Sequence, residues 1–466
     1  MKFNFFKNSM LVGLLSLSLV SCDKDDDVVD GGDNNGYVVL KGEIETQTLT
    51  SDKKYLISGQ AFVRTGKTLT IQPGTVIAGE KKSKGTLVID KGGKLMANGT
   101  KEAPIVFTSN QELGDRDRGD WGGIVLLGNA KVNLTNPSVE GIEPAVTYGG
   151  TNDADNSGSL NFVRVEFAGI ELTPNNETNG ITLAGVGNGT KFENIQVTFG
   201  GDDGIEWFGG SVNGKYLIVF GTWDDDFDID NGFSGNLQFG LGVRYPSYAD
   251  QSDSNGFEWD TNGTNDATDL PTTATVSNFT ILGPSIDGNS YNANFKHGMD
   301  LRRRVSTSLF NSVVVGYPTA IRMNQNNVLP NYTGGAAQIA NNIFYAKTTA
   351  ILSGSTDVTA AQILTYLTSN DNVVEAGTDK QTTAAYTALG LKAEQFFNKR
   401  LNDAYTRPNF AVTSGTLATG AKFTYAKFSE ANRTAQFDKT VTFRGAFGAT
   451  DWTLGWTNFN PINTQY

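Results

Sequence analysis

The chain has 466 residues, 38% of them hydrophobic, with 54 glycines against 12 prolines and a formal charge of −12. This composition excludes wholesale disorder and supplies the many positive-φ turns of a repetitive β fold. The acidic balance repels phosphate backbones, so no nucleic acid is expected as a partner, and a single cysteine excludes any disulfide within the chain.

At the N-terminus, Lys2 and Lys7 precede an apolar run from Met10 to Val20 that is too short to span a bilayer as a stable helix. It ends at Leu19-Val20-Ser21-Cys22, which resembles the lipobox of bacterial lipoproteins. The resemblance implies a signal peptide over residues 1–21 and lipidation of Cys22. Asp23, Lys24, Asp25, Asp26 and Asp27 resemble the acidic surface-export signal of Bacteroidota lipoproteins; a plain solvated tether is the alternative. Asp30 to Gly36 has linker composition, so folded structure is expected to start near Tyr37, and with the lipidation that the resemblance implies residues 22–36 would be a lipidated acidic tether. The implied location is the outer membrane, lipid-anchored and facing the cell exterior.

Residues 37–134 read as short strands and turns, with Leu69 to Ile77 and Leu87 to Leu95 as the first small courses, then Ile105 to Thr108 and Ile124 to Leu127. Between residues 205 and 351 one phrase recurs: Ile205-Glu206-Trp207, Phe227-Asp228-Ile229, Phe257-Glu258-Trp259, Met299-Asp300-Leu301, Ile321-Arg322-Met323 and a decayed Ile351-Leu352-Ser353. Alternation marks strands, and recurrence at 22 to 42 residues marks courses of a coil with loops of varying size. Stacking then places Glu206, Asp228, Glu258, Asp300 and Arg322 in one outward column at a spacing of about 4.8 Å.

A second ladder precedes the first: Val163-Arg164-Val165, Ile195-Gln196-Val197, Leu217-Ile218-Val219, Phe279-Thr280-Ile281, Val313-Val314-Val315 and Ile343-Phe344-Tyr345. Asn194, Asn278 and Asn342 stand before their strands, where stacked amides form an axial ladder. The fold class is therefore all-β, a parallel β-helix over residues 37–355. The run resembles the right-handed β-helix proteins of the pectate-lyase superfold found in many Bacteroidota surface lipoproteins. That resemblance fixes chemistry poorly, because one solenoid hosts lyases, hydrolases, adhesins and binding proteins.

Residues 356–466 are expected to form a mixed α/β cap over the open end of the coil. Asp357 would cap a helix containing Ala361, Leu364 and Leu367; a second helical pattern follows at Ala385, Leu389, Ala393, Phe396 and Phe397; Thr440 to Phe443 reads as a strand.

The chemistry concentrates in acids. Asp202, Asp203, Asp224, Asp225, Asp226, Asp228 and Asp230 crowd two courses, and carboxylates about 5 Å apart repel by roughly 3 kcal/mol per pair at an effective dielectric near 20. Such a cluster needs protonation, screening or a cation, and hard oxygen donors suit calcium. The bland alternative is that these aspartates shape turns and keep the coil soluble.

Polygalacturonase-like hydrolases on this fold use paired aspartates on consecutive courses with a His-Gly downstream. Asp202, Asp203, Asp225 and His297 are the residues carried over from that resemblance, and Arg302 follows. The family's Asn-Thr-Asp and Arg-Ile-Lys signatures are absent here. Trp223, Phe208, Phe233, Tyr245 and Tyr248 fall on turns or outward positions where rings could stack on a sugar, while Trp207 and Trp259 fall inward.

The resulting expectation is a surface lipoprotein that binds a glycan or other polymer, alone or beside a Sus-like uptake receptor. The alternatives are a calcium-dependent polysaccharide lyase or glycoside hydrolase, and a structural or adhesive surface protein.

Overall fold

A computed structural model describes residues 36–173, 176–265, 268–397 and 406–466. Twenty-four short strands pair in parallel and coil from Tyr37–Glu43 to Val373–Ala376, so the chain is an all-β parallel solenoid with few, short helices near its C-terminus. Among the described residues no helix is long and apolar enough to cross a membrane.

The recurring phrase is in register throughout. Glu206 pairs with Asp228, Asp228 with Glu258, Glu258 with Asp300, Asp300 with Arg322 and Arg322 with Leu352. The column continues upstream through Thr182, Val125, Val88 and Phe62. The alternate residues, including Ile205, Trp207, Phe227, Ile229 and Trp259, are fully buried in the lumen, each contributing about 1.5–3 kcal/mol of burial.

The second sheet departs from expectation in two places. Leu217 pairs with Gly240 and Gly240 with Phe279, a course that its glycines hide from a hydrophobic count. A Cβ on Gly240 would lie 2.0 Å from the Phe279 ring, so the neighbouring course requires glycine there. Further on, Thr280 pairs with Val313, one residue away from the alignment of Phe279 with Val313 read from sequence. Val314 faces the lumen whereas Val313 and Val315 face a second apolar layer outside, and a strand buried on both faces carries no alternation.

The asparagine ladder is also only partial. Asn194, Asn278, Asn311 and Asn341 share a left-handed bend at φ between +53° and +61°, a conformation that asparagine tolerates best after glycine. Asn342 instead sits one position later and hydrogen-bonds Asn372 at 3.0 Å.

The C-terminal region divides rather than forming a cap alone. Helix α1 is Leu329–Thr333, within the solenoid's loops, and α2, Ala360–Ser369, follows the last long strand. Thr359, not Asp357, is the N-cap of α2, in a capping box with Gln362. Ile363, Tyr366 and Leu367 are its buried residues, while Leu364 is exposed. The strand Val373–Ala376 still pairs with Ile343–Ala346, so the parallel sheet runs past residue 355. Helix α3, Thr383–Leu389, covers only Ala385 and Leu389 of the second helical pattern: the left-handed Gly390 ends it, Ala393 lies in a separate 3-10 turn, and Phe396 and Phe397 lie beyond.

Residues 406–466 run back along the flank of the coil. Gln238 exchanges two hydrogen bonds with the Asp438 backbone and Gln196 two with Asn458, at 2.7–2.9 Å. Asn311 and Asn341 donate to the carbonyls of Lys422 and Gly420. Tyr466 reaches the early courses, where its hydroxyl donates to Glu166 at 2.6 Å. Thr440 to Phe443 forms no strand; the Ala421 N–H donates to the Thr442 carbonyl and the Asn278 side-chain amide to that of Phe443.

Candidate functional site

The outward column changes character along its length. Phe62, Val88 and Val125 pack beneath a loop carrying Val139, Ile142 and Tyr148, and beyond Thr182 the column becomes Glu206, Asp228, Glu258, Asp300 and Arg322. This second stretch is the acidic face.

A parallel column three residues upstream explains several of the acids. The Asp203 N–H donates to Asn179 Oδ1 at 3.3 Å, and the Asp225 N–H to Asp203 Oδ1 at 2.8 Å. The Asn255 N–H donates to Asp225 Oδ1. The Asn255 amide oxygen in turn accepts the His297 N–H at 3.1 Å and its Nδ1 at 2.8 Å. Each course thus anchors the next through one side-chain oxygen. The Asn255 Nδ2 donates to the Asp253 carbonyl, which turns its oxygen toward the imidazole and makes Nδ1 the protonated nitrogen.

Two sets of three carboxylates converge: Asp202, Asp203 and Asp224, and Asp203, Glu206 and Asp228, with ligand atoms within 4.8 Å of one another in each set. Burial first, and mutual repulsion second, raises Asp202, Asp203, Glu206 and Asp228 well above the ordinary carboxylate range. Asp225 is raised too, by burial and then Asp224. Asp228 Oδ1 and Asp224 Oδ1 are buried with no hydrogen-bond partner among the described residues. Either set of carboxylates could hold a metal ion.

The downstream end is neutralised from within the protein. Arg302 pairs with Glu258, Arg303 with Asp260, and Arg322 Nε donates to Asp300 Oδ1 at 2.8 Å. Burial and Asp230 nonetheless push Asp260 up to about 7.

Not every residue singled out from sequence belongs to this face. Asp226 turns into the interior, 3.3 Å from Arg244 Nε, with Thr222 and Tyr317 donating to it; it is no part of the acidic cluster. Burial raises it to about 6 despite the guanidinium. Asp230 accepts the N–H of the next residue, Asn231, at 2.6 Å. His297 is buried and held down to about 3 by desolvation and then by Arg322 and Lys296, so its imidazole is neutral and a poor proton acceptor at neutral pH.

The aromatic set divides as well. Phe233 is fully buried against Trp207, with ring centroids 5.6 Å apart, and is core rather than platform. Phe208 stacks on Tyr148. Tyr245 and Tyr248 pack edge-on against Phe199. Trp223 is half-buried, with its indole N–H fixed on Asp250 at 2.7 Å. The Arg118 guanidinium lies 3.5 Å over the Trp223 ring and 4.7 Å over that of Tyr248.

Asn179, Asn255, Tyr148 and Arg118 were not anticipated as site residues. The first two were legible: Asn179-Gly-Ile, Asp203-Gly-Ile, Asn255-Gly-Phe and His297-Gly-Met extend the recurring phrase by two positions. Tyr148 and Arg118 come from loops outside the repeat and carry no such signal. Cys22 and Asp23 to Asp27 lie outside the described residues.

Comparison with known proteins adds one match. A family model described as a pectate-lyase like beta helix domain covers residues 42–389. No curated protein and no solved structure matches the chain.

Proposed function

The chain belongs to the pectate-lyase-like β-helix family, and on that premise we propose that its acidic face binds a polysaccharide without cleaving it. The observation that carries this reading is how the acids of catalytic type are used. Asp203 and Asp225 each give one oxygen to the backbone of the next course, and the only histidine is bound neutral to Asn255. General acid and base work needs groups free to exchange a proton near the working pH, and no such pair with His297 is left on this face.

A cation of calcium type would be held by Asp202, Asp203 and Asp224 or by Asp203, Glu206 and Asp228, where it would offset their mutual repulsion. The same acids support a second reading, a calcium-dependent lyase, whose basic residue would come from Arg302 or Arg322. Both arginines already pair with Glu258 and Asp300, which favours binding. The Cys22 lipobox and the Asp23 to Asp27 tract support anchorage on the outer face of an outer membrane, and a Sus-like receptor would then be the natural partner.

The test is retention of the protein on gels containing acidic or neutral polysaccharides, with assays for new reducing ends and for the ultraviolet absorbance of unsaturated uronides. Retention without products is expected, weakened by Trp223→Ala and not by His297→Ala. Product formation that disappears on replacing Asp202, Asp225 or His297 overturns the proposal.

A further inference from the structure

Trp223 is the aromatic ring best placed to stack on a sugar at the margin of the acidic face, yet its face is covered. The cover is a single side chain, Arg118, whose guanidinium carbon lies over the indole 3.5 Å from its ring centroid and 4.7 Å from that of Tyr248. Among the described residues its guanidinium donates no hydrogen bond, and its one ion pair is with its neighbour Asp117, at 3.6 Å. The ring beneath does not share this freedom, because Asp250 holds the indole N–H.

The backbone around Arg118 is fixed as well. The Asp117 N–H donates to Asp120 and the Tyr248 hydroxyl to the Asp117 carboxylate, while Arg116 donates to the Thr464 carbonyl at 2.8 Å. Uncovering the indole is therefore a rotation of one long side chain, 27% exposed, and not a movement of the loop.

We propose that Arg118 is an intramolecular gate over the Trp223 subsite, and that the ligand admitted is a neutral pyranose polymer whose apolar ring face replaces the guanidinium. This deepens the binding function proposed above and rests on it. A neutral polymer is favoured because the carboxylates of Asp117 and Asp250, which accept from the Tyr248 hydroxyl and the Trp223 indole N–H, flank the slot and repel a polyanion. Ring stacking and cation stacking compete for the same indole face. Each molecule of ligand must thus displace a partly exposed cation–π contact, which lowers its affinity by roughly 2- to 5-fold.

Two measurements on the full chain separate the gate from the binding function. The first needs no ligand. Of the six tryptophans, Trp121, Trp207, Trp259 and Trp456 are at most 1% exposed, so acrylamide quenching reports mainly Trp223 and Trp452. Arg118→Ala should raise the quenching constant, and the rise should vanish in Arg118→Ala combined with Trp223→Phe. The second is affinity-gel retention on hydroxyethyl cellulose and dextran, where Arg118→Ala should bind about 2- to 5-fold more tightly than wild type and Trp223→Ala more weakly.

Unchanged quenching overturns the gate, and so does weaker or equal retention of Arg118→Ala alongside Trp223-dependent retention of wild type. Raised quenching with no retention of any variant refutes the neutral glycan as ligand and leaves only the cover over Trp223.

Discussion

Replacing Asp225 separates what its oxygen does from what its charge does. Asp225 Oδ1 accepts the N–H of Asn255, a residue with no exposure. Asp225→Ala leaves that donor buried and unpaired, a loss of about 1–3 kcal/mol. Asp225→Asn keeps an oxygen in place and removes a charge that burial and Asp224 both oppose. A like charge about 5 Å away by itself costs roughly 3 kcal/mol at an effective dielectric near 20, and the burial that opposes the charge adds to the gain.

The sign with pH follows from the direction of the shift. An acid raised in the folded state folds best when protonated, so wild type gains stability as pH falls through the raised value toward the ordinary carboxylate value of about 3.9, and loses it as pH rises. The advantage of Asp225→Asn is therefore largest above the raised value and fades near pH 4. Guanidinium unfolding at several pH values in the presence of chelator measures it. If the amide variant is as unstable as the alanine variant under those conditions, the fold needs the charge rather than the oxygen, and the ladder argument fails.

His297, held to about 3 against an ordinary 6.5, refuses a proton that the unfolded chain accepts. Wild type should lose about 1.6 kcal/mol relative to His297→Gln on moving from pH 6.5 to pH 5, and parallel pH profiles in denaturant titrations would refute this. Arg244→Met should cost about 3–5 kcal/mol by leaving Asp226 charged and buried, and adding Asp226→Asn should restore much of it; a double-mutant cycle without coupling rejects the pairing. Cys22→Ala should abolish lipidation, detected by metabolic labelling with a fatty acid. Alanines at Asp25 to Asp27 should leave the protein lipidated but shielded from protease added to intact cells, and undiminished digestion rejects the export signal.

The sequence announced the column Glu206, Asp228, Glu258, Asp300 and Arg322 because one face of those strands is lumen and the other is not, and that asymmetry writes a period of two. The second sheet is less readable for the opposite reason. Val313, Val314 and Val315 are buried on both sides, and nothing in three consecutive valines marks which one faces the lumen. Phe233 was misjudged because a turn residue can fold back inward, which pattern does not encode. Asp226 was grouped with its neighbours by proximity in the chain, although its partner Arg244 comes from the following course. Arg118 reaches Trp223 across a hundred residues of chain, a pairing that depends wholly on the coil having formed.

The flanking segment 406–466 changes how such a coil comes apart. A stack of repeats is held course to course, so its ends can peel while its middle stands. Here Gln196, Gln238, Asn311 and Asn341 are staked to one continuous length of backbone, and Tyr466 is seated against Glu166, Arg164 and Arg116. The segment works like a batten nailed across planks: no course on that flank loosens without disturbing contacts several courses away. Unravelling is thereby converted from a local event into a shared one. The price is paid in time, since contacts between residues some three hundred positions apart are slow to form, and the stack must wait for the neighbourhood of Tyr466 before it is secured.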